Sequence, residues 1–469
     1  MKVLFVDLLN LFYDQHGIYA LSAILKKNGI STAYIGARDF KTAKNKILQA
    51  RPDVLLYSAF SANIRKYREF DLFIKKDMPE IHSIIGGPGP TFDWKFIEDS
   101  TINALCAGEG ETALVEYLKN GFKSVKNIFN KGDVFPQDYF PFVDLDLMPF
   151  PDRSVVYKHD SLLRDTPSKQ FFSGRGCPYD CSYCFNHSFR KQFRACGNTI
   201  RRKSVDYMLE EVAWVKKEYG LANAVFNDDT FIIDKKWFME FCDKYPRKIG
   251  ISYTCNILAN LLDDDMAKAL KESNCITVNW SIESGNAVLR NEVLNRNMTN
   301  EQIINAAELL NKYKIMHRIG NVIALPGETI DQIYETVELN IKARPYMGLA
   351  NIFVPFPGLR LTDYAIKNKY CDETSYENLP KDYFTTSVMK IDAKQKIIIY
   401  KIMCLFPLFT AFPRLFYNKH LRDMALKLPG RLVRVIYELV YTFKMSRLYT
   451  SKTPVSHKIR MAIRYLRNI

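Results

Sequence analysis

The chain has 469 residues, of which 47% are hydrophobic and 25% are charged, and its formal net charge is +15. This length predicts two or three domains, and the composition excludes a wholly disordered protein. The start, MKVLFVDLL, lacks the cleavage site of a signal peptide, and no uncharged apolar run approaches the ~18 residues that span a bilayer. The ten cysteines form no paired framework, so we expect a cytoplasmic protein with reduced thiols.

The positive charge is concentrated at the carboxyl-terminal end of the chain. Residues 391 to 469 contain sixteen Lys and Arg against three acidic residues, a local surplus of +13. The preceding residues are therefore close to neutral, and no nucleic-acid partner is expected for the main body of the protein.

Residues 1 to 125 alternate short apolar runs with helical patterns. KVLFVDLL, STAYIG, DVLLYSAF and IHSIIGG are typical of strands, and GIYALSAILKKNG is typical of a helix that ends at a glycine. This alternation predicts an α/β domain with a doubly wound parallel sheet of the Rossmann type, which binds ligands beyond the carboxyl ends of its strands. Two glycine turns fall there, Gly86–Thr91 and Gly108–Glu111. Glycine allows a ligand to approach the backbone closely, although either turn could simply be tight.

The rest of the chain divides into three further parts. Residues 126 to 168 are punctuated by prolines and are predicted to form an extended linker. Residues 169 to 375 contain six apolar strands separated by helices such as VDYMLEEVAWVKKEYG, which predicts a parallel barrel or part of one, with its chemistry at the carboxyl ends of the strands. Residues 376 to 469 are predicted to form a basic, amphipathic helical region.

Three cysteines, Cys177, Cys181 and Cys184, follow the first strand of this barrel at C-x3-C-x2-C spacing. Thiolates are the usual ligands of iron–sulfur clusters, whereas a closed zinc site needs four ligands. The next cysteine, Cys196, stands alone, so a zinc site is the weaker interpretation. The remaining alternative is that the three cysteines lie in a loop and bind no ligand. Three thiolates on a 4Fe–4S cluster would leave its fourth iron open to a substrate or cofactor.

The cysteine spacing, with the aromatic Tyr183 before the last cysteine, resembles the radical S-adenosylmethionine superfamily. Four later segments resemble that family in the same order: FNDDTFIID, SIESGNAVLRNEVLNRNMT, VIALPGET and FVPFPGLRL. The resemblance implies that a 4Fe–4S cluster on the three cysteines binds S-adenosylmethionine at its open iron and cleaves it to a 5'-deoxyadenosyl radical. It also implies contacts with S-adenosylmethionine from eight residues of these motifs: Tyr183, Asp228, Asp229, Glu283, Ser284, Leu325, Pro326 and Gly327.

The amino-terminal domain is similar to the cobalamin-binding domains of one branch of this superfamily, through HGIYALSAILKKNGI, RPDVLLYSAFSANI, IIGGPGPTF and AGEGET. The similarity implies that the stretch from Ser58 to Ser61 lies under the corrin face. It also implies that two loops flank the nucleotide tail: Gly86, Gly87 and Pro88, and Gly108, Glu109 and Gly110. His16 follows Asp14 as in the family's cobalt-binding D-x-H-x-x-G signature, but Tyr19 replaces the glycine, so we do not expect His16 to bind cobalt. Gly89 stands where histidine is frequent in this branch.

These resemblances imply a cobalamin-dependent radical S-adenosylmethionine enzyme, and first of all a methyltransferase that methylates an unactivated carbon through methylcobalamin. The same cofactors also serve non-methylating radical rearrangement and oxidative cyclisation. A cobalamin carrier or sensor without catalysis is the alternative from another class. The expected partners are a small-molecule or hydrophobic, lipid-like substrate and an electron donor such as flavodoxin or ferredoxin.

Two interpretations of the C-terminal region stay open. KIIIYKIMCLFPLFTAFPRLFY is apolar but interrupted by Lys401, Pro407 and Pro413, so we do not expect it to span a membrane. GRLVRVIYELVYTFKMSRLYTS and HKIRMAIRYLRNI are basic and amphipathic. Such patterns are typical of helices on a membrane surface, here the inner one, and equally of a lid that packs on the barrel with a solvated basic face.

Overall fold

The structure is a computed structural model that describes residues 1–9, 14–135, 138–373, 387–449 and 460. The chain divides into two compact units. The first contains Met1–Thr166 and Phe189–Arg201, and the second contains Pro167–Ser188 and Arg202–Thr453. The domain bounds expected from the sequence stay a prediction.

Six strands form the sheet of the first unit: β1 (Lys2–Asp7), β2 (Ser31–Gly36), β3 (Val54–Ser58), β4 (His82–Gly86), β5 (Ala104–Cys106) and β6 (Ile128–Asn130). Their order is β2-β1-β3-β4-β5-β6, with the first five parallel and β6 antiparallel to β5. The predicted doubly wound parallel sheet is confirmed. Because β2 and β3 lie on opposite sides of β1, the sheet has a topological switch point between β1 and β3, the place where such folds bind ligands.

Seven helices belong to the first half of the chain: α1 (His16–Lys27), α2 (Phe40–Ala50), α3 (Ile64–Lys75), α4 (Pro88–Phe92), α5 (Glu111–Lys119), α6 (Ser154–Tyr157) and α7 (Ser161–Arg164). Two 3-10 turns, Ser61–Asn63 and Lys95–Ile97, accompany them. The glycine turn after β4 continues into the short helix α4. β6, α6 and α7 lie within residues 126 to 168, so the stretch predicted to be an extended linker contains regular structure.

The second half of the chain contributes eight strands: β7 (Ser168–Phe171), β8 (Gly174–Arg175), β9 (Arg201–Arg202), β10 (Asn223–Phe226), β11 (Ser252–Asn256), β12 (Cys275–Glu283), β13 (Met316–Ile323) and β14 (Met347–Ile352). Six of them form one parallel sheet in the order β14-β13-β12-β11-β10-β7. Neighbours in this sheet are therefore successive long strands of the chain, as in a partial (β/α)6 barrel. The predicted fold class is confirmed.

Seven helices accompany these strands: α8 (Phe185–Gln192), α9 (Val205–Tyr219), α10 (Lys235–Lys248), α11 (Asp264–Glu272), α12 (Asn300–Lys312), α13 (Ile330–Ala343) and α14 (Arg360–Lys367). The 3-10 turns Arg194–Cys196 and Ala259–Leu261 and the π-helical turn Leu289–Val293 complete the set. Local sequence fixes two of the helix starts, because Thr299 with Gln302 and Thr329 with Gln332 form capping boxes at α12 and α13.

Four further helices follow: α15 (Ala393–Ala411), α16 (Pro413–Tyr417), α17 (Lys419–Lys427) and α18 (Gly430–Tyr449). α15 continues through Pro407, so the interruption expected there is wrong, and the helix ends before Pro413. The side chains of Ile402, Phe406 and Phe409 are fully buried in one core with Ile352 of β14. This packing protects the edge strand of the sheet.

Among the residues described, no helix combines the length and the apolarity that crossing a membrane requires. The second basic pattern, HKIRMAIRYLRNI, lies outside the described residues apart from Arg460.

Candidate functional site

The three predicted cluster cysteines lie in the loop between β8 and α8. Cys181 is buried, Cys177 and Cys184 are half-buried, and no disulfide involves any of the three. Ser182 anchors the loop, since its N–H donates to the Leu294 carbonyl (3.0 Å) and its Oγ donates to the Val293 carbonyl (2.7 Å). The segment that follows β12 therefore holds the cysteine loop in place.

The side chains of Arg296 and Asn186 donate hydrogen bonds to cysteine sulfurs. Arg296 Nη1 lies 3.6 Å from Cys181 Sγ, and Asn186 Nδ2 lies 3.6 Å from Cys184 Sγ. Burial raises the pKa of the Cys184 thiol to about 11, and burial together with the charge of Asp229 raises the pKa of the Cys177 thiol. N–H donors act in the opposite direction because they stabilise the thiolate, which is the form that binds metal.

Arg296 joins the cysteine loop to the end of β12. Its Nη2 donates to the Ser281 carbonyl (3.1 Å), and the nearby Tyr183 hydroxyl donates to Glu283 Oε1 (2.9 Å). Burial raises the pKa of Glu283, while the charge of Arg296 and the hydrogen bond from Tyr183 oppose that rise. Burial acts to lower the pKa of Arg296, but the acidic groups of Tyr183 and Glu283 raise it above its ordinary value. The guanidinium therefore stays charged beside the cysteine sulfur.

Glu283 and Ser284 lie where β12 leaves the sheet. Glu283 has φ of 69°, and the pairing of β12 with β13 shifts register between Ser281 and Glu283. Ser284 is fully buried, and its Oγ has no hydrogen-bond partner among the described residues. Arg290 holds this turn through a hydrogen bond from Nη1 to the Ser284 carbonyl (3.0 Å). A strained backbone beside an orphaned buried hydroxyl is an arrangement that a polar ligand would complete.

The two aspartates that follow β10 are in different environments. Asp228 is buried and accepts hydrogen bonds from the Ser173 N–H (3.1 Å) and Ser173 Oγ (2.7 Å). Asp229 is exposed. Even so, the surrounding protein removes part of its solvent, which raises the pKa of its carboxyl, and a hydrogen bond from Asn186 opposes that rise. The charge of Asp229 also raises the pKa of the Cys177 thiol. The structure therefore brings Asp229 to the cysteines, whereas the Asp228 carboxylate binds the end of β7.

The predicted loop after β13 packs beside the cysteine loop. Leu325 shares a hydrophobic cluster with Tyr183, and Pro326 precedes Gly327, where φ is 79° and a Cβ would lie 2.8 Å from Tyr370 Oη. Glu328 was not predicted to be a site residue. Its Oε2 accepts a hydrogen bond from the Leu325 N–H (3.1 Å), and its buried Oε1 has no partner among the described residues. Burial raises the pKa of Glu328 to about 8.

In the first unit, the predicted cobalamin residues follow three strands. Ser58 ends β3 and is exposed, and Ser61 begins the next 3-10 turn. Gly86, Gly87 and Pro88 follow β4, and Gly108, Glu109 and Gly110 follow β5. Because β3, β4 and β5 are neighbours in the sheet, all eight residues lie along one edge of it. This edge adjoins the switch point between β1 and β3.

Close backbone contacts explain the glycines of these loops. A Cβ at Gly87, where φ is 107°, would lie 2.6 Å from the Ala59 carbonyl oxygen. A Cβ at Gly89 would lie 2.5 Å from the Phe60 carbonyl carbon. The histidine that is frequent at this position in the resembling family therefore has no room here unless the loop after β3 moves.

Glu109 is neutralised within its own unit. Arg201 pairs with its carboxylate through both terminal nitrogens, and the Nη1–Oε2 distance is 3.3 Å. The guanidinium also lies 4.3 Å from the centre of the Phe142 ring. Glu109 therefore ties the β5 loop to the segment that ends at Arg201.

The D-x-H stretch is built into the domain through Asp14. Its carboxylate accepts hydrogen bonds from Tyr157 (2.6 Å) and Tyr19 (3.0 Å) and pairs with Arg153 at 3.1 Å. Tyr19, which replaces the glycine of the signature, thus helps to hold Asp14. His16 is the first residue of α1. The expectation that it does not bind cobalt stays a prediction.

Sequence reasoning missed several of these residues, among them Arg296, Asn186 and Glu328. Arg296 stands in the quoted motif SIESGNAVLRNEVLNRNMT, but the segment is irregular, and no periodicity distinguishes this arginine from Arg290. The only signal that could have identified Arg296 is its position as a charged residue in a family motif that directly follows a strand.

The donor set fits the implied cofactors. Within the described ranges, no three His, Cys, Asp or Glu side chains converge tightly enough to hold a single metal ion. In a cluster each thiolate binds a separate iron, so its ligands need not converge in this way. The orphaned Ser284 Oγ and the exposed Asp229 offer polar atoms for the amino acid part of S-adenosylmethionine.

Comparison with known families matches two parts of the chain. Residues 171–339 match the Radical SAM superfamily, and residues 6–118 match the B12 binding domain. The cobalamin-dependent S-adenosylmethionine radical enzyme OxsB, solved with aqua-cobalamin bound, has the same fold with a TM-score of 0.63 and 15% sequence identity. That match covers 99% of this chain and 75% of the OxsB chain.

Two curated relatives are similar in sequence. An uncharacterized methyltransferase of Pyrococcus horikoshii is 30% identical over 313 residues, which are 63% of this chain and 65% of that protein. The anaerobic magnesium-protoporphyrin IX monomethyl ester cyclase of Rubrivivax gelatinosus is 24% identical over 374 residues, which are 75% of this chain and 64% of the cyclase. The chain thus spans just under two thirds of the length of these relatives.

The fold and the site define an α/β protein in which a B12-binding domain precedes a radical SAM domain. Both a radical SAM domain and an amino-terminal B12-binding domain are therefore present in this chain. The cofactors of these two domains are a 4Fe–4S cluster, S-adenosylmethionine and cobalamin.

Proposed function

We propose that this protein is a cobalamin-dependent radical S-adenosylmethionine methyltransferase that methylates an unactivated carbon. The observation that carries the proposal is the presence in one chain of a B12-binding sheet and of the cysteine loop that follows the first strand of a radical SAM sheet. When bound, the three cofactors supply an electron, a hydrogen-abstracting 5'-deoxyadenosyl radical and a transferable methyl group. The name of the Pyrococcus horikoshii relative supports methyl transfer.

The residues of the chain bind and orient these groups in the proposal. Cys177, Cys181 and Cys184 hold the cluster, and Arg296 stabilises negative charge on the Cys181 sulfur from 3.6 Å. Glu283 and Ser284 receive polar atoms of S-adenosylmethionine, and Asp229 faces the same place beside the cysteines. The apolar loop at Leu325 and Pro326 packs against its adenine.

The test uses full-length protein loaded with iron, sulfide and hydroxocobalamin and reduced without oxygen in the presence of methyl-deuterated S-adenosylmethionine. Loss of the methyl group leaves S-adenosylhomocysteine, and hydrogen abstraction leaves 5'-deoxyadenosine. We expect both products, with the label transferred to a hydrophobic substrate from a panel of lipids and porphyrins. The Cys181→Ala variant is the control and should form no 5'-deoxyadenosine. A product that carries no label would refute the methylation.

Oxidative cyclisation is the second candidate, because the named cyclase matches 75% of this chain. It requires 5'-deoxyadenosine without S-adenosylhomocysteine and a product with fewer hydrogens than the substrate. A protein that carries a complete cluster and cobalamin but forms neither product would instead be a carrier or sensor.

A further inference from the structure

α18 buries one side and exposes another. Val433 and Tyr437 pack in the core that α15 forms. Four large apolar side chains remain exposed, with exposed fractions of 45% for Leu432, 55% for Val435, 67% for Leu439 and 57% for Phe443. Their spacing of three, four and four residues places them on one helical face, along about 16 Å of the axis. We call these four residues the α18 stripe.

Positive charge accompanies the α18 stripe. Arg431 and Arg447 are exposed near its two ends, and the Arg447 guanidinium lies 4.4 Å from the centre of the Phe443 ring. The sequence of α18 contains one acid, Glu438, and it pairs with Arg434 at 2.6 Å. The exposed face therefore combines apolar side chains with two arginines that form no salt bridge within the part of the chain that the structure describes.

The preceding helix has the same character. α17 buries none of its side chains, and it exposes Leu421 and Met424 together with Lys419 and Lys427. Ala425 and Leu426 of α17 pack partly against the core that α15 forms, which leaves Leu421 and Met424 on its exposed side. A helix that exposes large apolar side chains beside basic ones is typical of helices that lie in a membrane interface.

We propose that the exposed faces of α17 and α18 attach this protein peripherally to a membrane of anionic phospholipid. The α18 stripe reaches the boundary between head groups and acyl chains, and the flanking arginines contact lipid phosphates. The attachment goes beyond the proposed function and does not depend on which reaction the radical SAM domain performs.

Charge complementarity selects the anionic lipid surface over two other occupants. The sequences of α17 and α18 contain seven Lys and Arg against two acids, so a second copy of this surface would bring like charges together. A nucleic acid would attract the arginines but would leave three aliphatic side chains of the α18 stripe without a partner, since base stacking needs aromatic rings. An anionic membrane satisfies both the charges and the apolar side chains.

The test measures co-sedimentation of the full-length, cofactor-loaded protein with phosphatidylcholine vesicles that contain or lack phosphatidylglycerol. The pair L439S/F443S removes the centre and one end of the α18 stripe, and the pair R431Q/R447Q removes its charges. Leu72→Ser is the matched control, because Leu72 is an exposed apolar residue of α3 with 52% exposure. Thermal unfolding and the absorbance of bound cobalamin verify that each variant is folded.

We expect wild type and Leu72→Ser to bind the anionic vesicles equally, and L439S/F443S to bind about tenfold more weakly or worse, because apolar burial drives interfacial attachment. R431Q/R447Q should bind more weakly and with less dependence on salt. Absence of wild-type binding, equal binding to both vesicle types, or unchanged binding of L439S/F443S would overturn the proposal. A dimer of the wild-type protein that the L439S/F443S pair dissociates would also overturn the proposal. So would binding of RNA that R431Q/R447Q abolishes and L439S/F443S leaves unchanged.

Discussion

Replacing Glu328 by glutamine should stabilise the protein near pH 8 and leave its stability near pH 4.5 almost unchanged. Glu328 lies in the loop after β13, where, among the described residues, its buried Oε1 has no hydrogen-bond partner and its Oε2 accepts from backbone N–H. Burial raises the pKa of this carboxyl to about 8. Glutamine keeps the shape and the acceptor but has no charge to bury.

The sign follows from proton linkage. The folded chain keeps the Glu328 proton up to about pH 8, whereas the unfolded chain releases it near pH 4.3. Stability from this group is therefore complete below the unfolded pKa and falls as the pH rises towards the folded pKa. The pKa difference corresponds to a loss of at most about 5 kcal/mol, and partial exposure of the side chain reduces it to roughly 3–4 kcal/mol.

Urea unfolding between pH 4.5 and pH 8.5, followed by tryptophan fluorescence, measures this loss. Three of the four tryptophans, Trp214, Trp237 and Trp280, belong to the second unit and report on it. The free energy of unfolding of wild type should fall across this range by more than that of Glu328→Gln. Glu308→Gln, which removes an exposed acid of α12, should behave as wild type. Parallel pH profiles of wild type and Glu328→Gln would refute the reasoning.

Three further outcomes follow from the two sites. Cys181→Ala should abolish 5'-deoxyadenosine formation but leave the absorbance of bound cobalamin unchanged, because Cys181 lies outside the B12-binding domain; a variant that loses both would contradict this separation. Arg296→Met should lower the midpoint potential of the cluster by roughly 50 mV or more in a redox titration followed by electron paramagnetic resonance, since one charged donor contributes about 1.5–3 kcal/mol; an unchanged potential would exclude the effect. Gly89→Ala should weaken hydroxocobalamin binding in equilibrium dialysis by about tenfold or more, since a Cβ there would lie 2.5 Å from the loop after β3. Gly17→Ala, which meets no atom within 4 Å, is its control and should bind normally.

The sequence predicted the strands well because each is an apolar run between polar turns. β1 and β3 are almost wholly buried, and such runs are visible without any knowledge of their partners. Helix α2, FKTAKNKILQA, is harder to predict from the sequence, because it buries only Ala43 and Ile47 and so presents no broad apolar stripe. The indication for α2 comes from the sheet: β2 and β3 are parallel, and parallel strands need a crossover connection, which is usually a helix.

The cofactor motifs were predictable by resemblance, but their supporting contacts were not. Arg296 donates to Cys181 across 115 positions of the chain, and Asp228 accepts from Ser173 across 55. No local pattern encodes contacts of this range, because they depend on which strand ends meet at the edge of the sheet. A family motif identifies such residues only when it specifies their positions and residue types.

The C-terminal helices also show that sequence composition does not reveal which side chains are buried. α15 and α18 are both rich in apolar residues, and composition alone left a membrane surface and a packed lid equally open. The structure separates the two helices by their neighbours: α15 buries Ile402 and Phe406 against β14 and α13, while α18 keeps Leu439 exposed. The packing of α15 is that of a covering helix, and the exposed face of α18 is the one on which the membrane proposal rests.

Hydrogen bonding decides which of the predicted polar residues stay available to a ligand. A buried charge needs a partner inside the protein, and a charge that already has one is poorly placed to recognise a cofactor. Asp228 is bonded twice by Ser173, and Glu109 is neutralised by Arg201, so both carboxylates fix loops. Asp229, next to Asp228 in the sequence, accepts a hydrogen bond from the neutral Asn186 amide, but it is exposed and acts electrostatically on the cysteines. Of these three acids, Asp229 is therefore the one whose conservative replacement by asparagine should alter S-adenosylmethionine binding directly rather than through the stability of the fold.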